Sequence, residues 1–328
     1  MKTRTKLFIL LLTVSVLVFS FSGCSKGIQP DDGRTVLSVG EYDICYDIFR
    51  YIFLSVRDDL CDGDLNYYVD NALGQVDVVD GTIDVLRRYY SIKVLAKENG
   101  VELEDADKLF SDYFDSYKAS VGSDDAVKSD LEKNYLTEYS LKEMYLLLSL
   151  RTELYSRMTE EGGKLYIGDE EMTKKVKDDF LCFRYIFVDQ SGTETEEYAL
   201  SRINEAYKKA ADGEDFKKLI EEYSESSSLG EAEDYSCYFA RGGFSDEKVE
   251  EAAEALKVGE ISDIIKTDDG WFIIQKTEKD EEYIKKNLAS MRKSYSDVAF
   301  SELLDSTADT LEVKYSELFN TINVLTIK

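Results

Sequence analysis

The chain has 328 residues and a formal net charge of −27, from 40 Lys and Arg against 67 Asp and Glu, and it contains no histidine. A surface of that sign repels nucleic acid and anionic lipid headgroups, so neither is an expected partner. With no histidine and no CxxC spacing among five cysteines, no metal site is expected. There is no glycine-rich phosphate loop and no GxSxG elbow, and no cofactor is expected. Carboxylates are so frequent that no pair of them marks an acid/base site.

Residues 1–23 read as a signal segment. Lys2, Arg4 and Lys6 form a basic start, and the apolar run 7–21 is shorter than the roughly 20 residues of a spanning helix. Phe21-Ser22-Gly23-Cys24 resembles a bacterial lipobox, which makes Cys24 the expected lipidation site and 24–34 a polar tether. The expectation is a bacterial lipoprotein held on the extracytoplasmic face of the cell membrane.

Residues 36–42 read as a strand. A helix follows over 44–56, with Ile44, Ile48, Ile52 and Val56 on one face. A second helix, 82–98, is stopped by Asn99-Gly100. A third, 104–118, buries Leu109, Phe110, Tyr113, Phe114 and Tyr117. The stretch 126–158 is helical with one bend or break, and 169–179 is a short helix.

The next unit reads strand, helix, helix, strand, helix, strand. The first strand is Phe183-Arg184-Tyr185-Ile186-Phe187-Val188, of β-favouring residues. The helix 197–211 uses Ile203, Ala206, Tyr207 and Ala210 as its inner stripe. Gly213-Glu214-Asp215-Phe216 opens the next helix, and 235–239, 247–256 and 271–276 complete the unit. A last helix, 281–306, faces Ile284, Leu288, Met291, Tyr295 and Val298 toward a core, and 311–315 reads as a strand. The C-terminal helix and strand are expected to return to the N-terminal helices. Cys182 and Cys237 sit near strands of one unit, where either a disulfide or two buried thiols would fit. The 23 tyrosines fit either exposed contact surface or half-buried packing.

Three stretches carry a family resemblance. They are Ala211-Asp212-Gly213-Glu214-Asp215-Phe216 with Glu222-Tyr223-Ser224, then Val249-Glu250-Glu251-Ala252-Ala253, then Leu256-Lys257-Val258-Gly259-Glu260-Ile261-Ser262 closed by Gly270-Trp271-Phe272-Ile273-Ile274. In this order and spacing they resemble a parvulin-type (rotamase) peptidyl-prolyl isomerase. The flanks resemble the chaperone domain of extracytoplasmic foldase lipoproteins of the PrsA type. The resemblance implies an α+β chain: a mainly helical chaperone-like domain, 35–179 plus 280–328, into which a parvulin-like domain, 180–279, is inserted as a small antiparallel sheet flanked by helices.

The resemblance also places the site. The family's two histidine positions hold Tyr185 and Phe272, and the loop position usually occupied by Asp or Cys falls at Ser226. The proline-pocket positions fall at Phe239, Phe244 and Val249. The implied function is a membrane-anchored foldase or chaperone for newly exported, unfolded chains, with weak or absent isomerase activity. Two alternatives stay open: an active isomerase with a remodelled pocket, and a non-enzymatic assembly or docking lipoprotein.

Overall fold

The computed structural model describes residues 33–61, 63–69, 71–190, 196–227 and 229–327. The signal segment, Cys24 and the tether up to residue 32 lie outside the described residues.

In chain order, β1 (Thr35–Val39) and β2 (Tyr42–Cys45) are followed by α1 (Tyr46–Cys61), α2 (Ala72–Glu98), α3 (Ala106–Val121), α4 (Asp124–Lys133) and α5 (Glu138–Thr159). Next come α6 (Asp169–Asp179), β3 (Leu181–Asp189), α7 (Glu196–Ala211), α8 (Phe216–Tyr223), β4 (Cys237–Phe239) and α9 (Glu247–Ala255). The chain ends with β5 (Ile265–Lys266), β6 (Gly270–Lys276), α10 (Glu281–Asp309) and β7 (Val313–Tyr315). The architecture is α+β, mainly helical, with two small antiparallel sheets.

The residues fall into two compact units, one running up to Arg157 and resuming at Leu303, the other spanning Met158–Glu302. In the first unit the sheet order is β2-β1-β7, with Leu37 opposite Tyr315 and Val39 opposite Val313. The single strand expected over 36–42 is a hairpin. Gly40 adopts φ +58°, a conformation that costs glycine little, and the chain turns back there. Ile48, Phe49, Ile52 and Phe53 of α1 are buried with Leu86 and Tyr90 of α2. The helix expected over 82–98 starts ten residues earlier, at Ala72, where the Asn71 side chain caps it by accepting from Gly74 N at 2.9 Å. The break expected within 126–158 lies between Lys133 and Glu138.

In the second unit the sheet order is β4-β3-β6-β5, all antiparallel. The two-residue β5 has too short a sequence signal to be seen as a strand. β3 and β6 are buried on both faces, and their alternation sorts the side chains. Ile186, Val188 and Ile273 pack against Ala199, Ile203, Ala206 and Ala210 of α7 and Phe216, Leu219 and Ile220 of α8. Phe183, Tyr185, Phe272 and Ile274 pack on the other face against Val249 and Ala253 of α9. Beside the sheet, Met172 and Val176 of α6 pack with Ile284 and Met291 of α10.

Candidate functional site: an aromatic cluster on one sheet face

The site is built from strand register. Phe187 of β3 lies directly opposite Phe272 of β6, so Tyr185, two residues back on the same face, is diagonal to Phe272. The Tyr185 and Phe272 ring centroids are 5.7 Å apart, tilted by 48°, and Phe187 and Phe272 are 4.7 Å apart. Phe244 enters from the loop before α9 and stands nearly edge-on to both, 5.9 Å from Tyr185 and 6.0 Å from Phe272. It also meets Phe239 at 4.9 Å and Phe183 at 5.5 Å. Edge-to-face pairs at such distances each add about 0.5–1.5 kcal/mol beyond burial.

Polar groups enter from one side. After α8 the chain runs beside β3: Glu225 N donates to Phe187 O at 2.7 Å, and Phe187 N donates to Ser224 Oγ at 3.2 Å. That pairing brings Ser226 alongside Tyr185, and their hydroxyls lie 3.0 Å apart. Burial pushes the Tyr185 hydroxyl above its ordinary pKa, with the Ser226 hydrogen bond pulling partly back. The phenol is therefore protonated at neutral pH and available as a hydrogen-bond donor.

The structure brings Tyr185, Phe272, Ser226, Phe239 and Phe244 together around one face of the sheet. Phe239 and Phe244 are half-buried, so each keeps accessible ring surface. Val249 joins the same cluster but is fully buried beneath it, where it packs the floor without reaching solvent.

Three further residues complete the site. The half-buried Phe187 extends the aromatic face past Phe272. The Glu250 carboxylate accepts from Phe244 N at 2.7 Å and Gly242 N at 2.9 Å, clamping the loop that carries Phe244. Gly270 gives Phe187 room: a Cβ there would come within 2.7 Å of the Phe187 ring and closer still to Val188 O. In the sequence, Phe187 is distinguished by its same-face alternation with Phe183 and Tyr185. Nothing local distinguishes Glu250 from its acidic neighbours.

The two buried thiols of the unit lie on opposite faces. Cys182 is opposite Tyr238, and Cys237 is opposite Phe183 in the adjacent pair, so their side chains diverge. Neither thiol is in a disulfide, and the same holds for Cys45 and Cys61. Burial raises the pKa of Cys182, and that of Cys237 to about 12. Among the described residues no group of three or more Cys, Asp or Glu is placed to hold a metal ion.

Residues 185–279 match the rotamase family, described as the PPIC-type PPIASE domain. The chain is 39% identical over 127 residues to the foldase protein PrsA of Bacillus subtilis (strain 168), an alignment covering 36% of this chain and 43% of that protein. It is 32% identical over 211 residues to the foldase protein PrsA of Geobacillus kaustophilus (strain HTA426), covering 63% of this chain and 65% of that protein. The crystal structure of PrsA from Bacillus subtilis aligns at 26% identity with a TM-score of 0.29, covering 70% of this chain and 82% of that one. The alignments with the two curated relatives thus span less than two thirds of their length. Residues 185–279 form a parvulin-type domain within a PrsA-like chain.

Proposed function

We propose that this chain is a membrane-anchored, extracytoplasmic folding factor for exported proteins. Its parvulin-type domain binds extended chain segments on an aromatic face and isomerises prolyl bonds weakly or not at all. The anchor in this reading is a lipid on Cys24. No described helix is long and apolar enough to cross a membrane. The identity to two foldase proteins supports the folding role.

The observation that carries the reading is the Tyr185–Phe272 ring pair, 5.7 Å apart, at the two positions where the resemblance expects histidines. Prolyl isomerisation breaks no covalent bond. Its barrier of about 18–20 kcal/mol is amide resonance, and a catalyst must favour the twisted amide over both planar forms. Apolar rings grip a prolyl segment about equally in all three forms, which is binding without rate enhancement. Phe272 has no polar atom, so it cannot form the hydrogen-bonded pair that would shape a pocket around the twisted amide.

One observation favours a second reading, an active isomerase with a remodelled pocket. Tyr185 and Ser226 place two hydroxyls 3.0 Å apart beside the rings. A donor there would stabilise the pyramidal nitrogen of the twisted amide. A third reading, a docking lipoprotein with one dedicated partner, predicts no protection of unrelated unfolded chains.

Two assays separate the three readings. Suppression of the aggregation of an unrelated unfolding protein supports a folding factor and excludes the docking reading. Isomerisation of Xaa-Pro peptides then divides a binding module from an enzyme.

A further inference from the structure

The loop that carries Phe244 is held by two different helices. The Glu250 carboxylate of α9 accepts from Gly242 N and Phe244 N. The second hold is Val298 of α10. A Cβ added at Gly242 would lie 3.6 Å from Val298 Cγ1, and one added at Gly243 would lie 3.4 Å from Val298 Cγ2. The two methyls of one valine face two consecutive glycines. With no side chain on either, Val298 meets the backbone of the loop itself. Gly243 has no room for a side chain in any case: its added Cβ would come within 2.8 Å of Ala240 O, the carbonyl that accepts from Gly243 N to close the turn.

The same segment joins two cores. Along β4 successive side chains point to opposite faces. Phe239 and, past the turn, Phe244 join the aromatic cluster. Tyr238 and Ala240 join the cluster of α6 and α10 instead, with Met172, Val176, Ile284 and Met291. The Tyr238 ring stacks on Tyr283 at 5.0 Å, and its hydroxyl accepts from Asp280 N at 2.8 Å. The rim of the aromatic face is fixed to α10 at two points, Tyr283 and Val298. Between them α10 is kinked at Asn287 (φ −111°, ψ 15°), whose side-chain amide donates to Tyr283 O at 2.9 Å. A side chain inserted into the helical hydrogen-bond ladder is a cause of such a kink.

The chemistry of Val298 suits a fixed stop. In a helix valine has one strongly preferred χ1 rotamer, so its methyls move with the helix rather than about it. Phe244, one residue past the glycine pair, stands nearly edge-on to Tyr185 and Phe272 at 5.9 and 6.0 Å. That geometry is lost if the loop shifts.

We propose that Val298 is a positioning residue of the aromatic site. α10 begins past residue 279, where the rotamase match ends, and it holds the Gly242–Gly243 turn so that Phe244 is set for an extended chain segment. The inference rests on the reading that this face binds such segments, and it extends the site beyond the matched domain.

The test measures binding of a fluorescein-labelled unstructured peptide, with a Leu-Pro-Phe centre in an Ala-Ser background, to the full chain. Val298→Ala is expected to weaken binding about threefold in the parent chain and to change nothing in a Phe244→Ala background, because the valine acts through that ring. Val298→Thr, which keeps the branched shape at a half-buried position, should stay near parent affinity. Leu288→Ala is the control. It removes more apolar volume from the same cluster, about 15 Å back along the helix, and should lower Tm without changing affinity. Hydrogen exchange at the Gly242 and Phe244 amides, both held by Glu250, should quicken in Val298→Ala and not in Leu288→Ala.

Unchanged affinity in Val298→Ala while Phe244→Ala weakens binding overturns the proposal and leaves the aromatic-face reading standing. An equal loss in Leu288→Ala also overturns it, because a loosened core then explains both. So does a threefold loss from Val298→Ala that persists in the Phe244→Ala background, since the valine then acts elsewhere. Unchanged affinity in Phe244→Ala, or no binding by the parent chain, removes the reading itself, and the positioning role falls with it.

Discussion

The Tyr185 hydroxyl lies 3.0 Å from Ser226 Oγ, although 41 residues separate them, because the segment after α8 pairs with Phe187 of β3. Tyr185→Phe keeps the ring and its contact with Phe272 and removes the hydrogen bond. The expected loss is about 1 kcal/mol by chemical denaturation, in the range for a buried hydroxyl. Extended-peptide affinity should stay within about twofold, because in this account the rings hold the peptide.

Phe244 is the centre of the cluster, with ring contacts to Phe183, Tyr185, Phe239 and Phe272. Phe244→Ala should cost about 2 kcal/mol of stability, less than a fully buried Phe because the ring is half exposed. It should also reduce affinity for unfolded model peptides at least fivefold, a loss of about 1 kcal/mol of binding. Phe244→Leu, which keeps the volume, separates the two effects: it should restore most of the stability and little of the affinity. Unchanged affinity in Phe244→Ala removes that residue from the binding face.

Glu250 holds Phe244 through two backbone N–H groups. Glu250→Ala leaves those donors to solvent and frees the loop. Peptide affinity should fall severalfold while Tm drops by only a few degrees. An affinity equal to the parent chain's means that the loop holds its shape without the carboxylate.

The family resemblance placed the positions of this site; what the residues themselves made legible is the strands that carry several of them. The strand residues Phe183, Tyr185 and Phe272 lie in runs whose alternation and β-branching specify strands, and pairing β3 with β6 brings them together. Ser226 was legible as a position, while its approach to Tyr185 depends on a backbone pairing with Phe187 that no local pattern announces. Val249 illustrates the converse: its apolar character fits pocket lining and floor packing equally, and in the structure it is completely buried. The hairpin at Gly40 was hidden because Val36–Val39 and Tyr42–Cys45 are both β-favouring, so the turn between them reads as one strand's continuation. The first ten residues of α2 were hidden for a related reason. Gly74 and Gly81 and the β-branched Val76, Val78 and Val79 all disfavour a helix, and packing of Val78 with the Asn71 cap overrides them.

The pH response follows from the titrating groups. With no histidine, no side chain has its ordinary pKa between pH 6 and 8. Peptide binding and stability should be flat across that range. Burial raises the folded-state pKa of Tyr185, and that of Tyr51 to about 12, above the ordinary value near 10. Both groups are neutral in either state below pH 9, so their stabilisation is fully present there. It is lost as pH rises from about 10 through the folded values, because the unfolded chain releases those protons first. Unfolding monitored by fluorescence from pH 6 to 11 checks the profile. A step near pH 6.5 contradicts the account.

Cys182 and Cys237 project to opposite faces of the sheet. Thiol titration of the native chain should find both unreactive, in keeping with their burial and raised pKa values. In denaturant Cys182, Cys237, Cys45 and Cys61 should all titrate as thiols rather than as disulfides. A Cys182–Cys237 disulfide peptide after digestion would require a different β3–β4 register.

The central claim is that the parvulin-type domain has become chiefly a binding face. Prolyl isomerisation of a panel of Xaa-Pro peptides by the full chain, beside Tyr185→Phe, tests it most directly. The account predicts rates within about twofold of the spontaneous reaction for every peptide, in parent and variant alike, at concentrations where the peptides are bound. Clear acceleration that drops in Tyr185→Phe contradicts it and makes Tyr185 the donor of a remodelled isomerase.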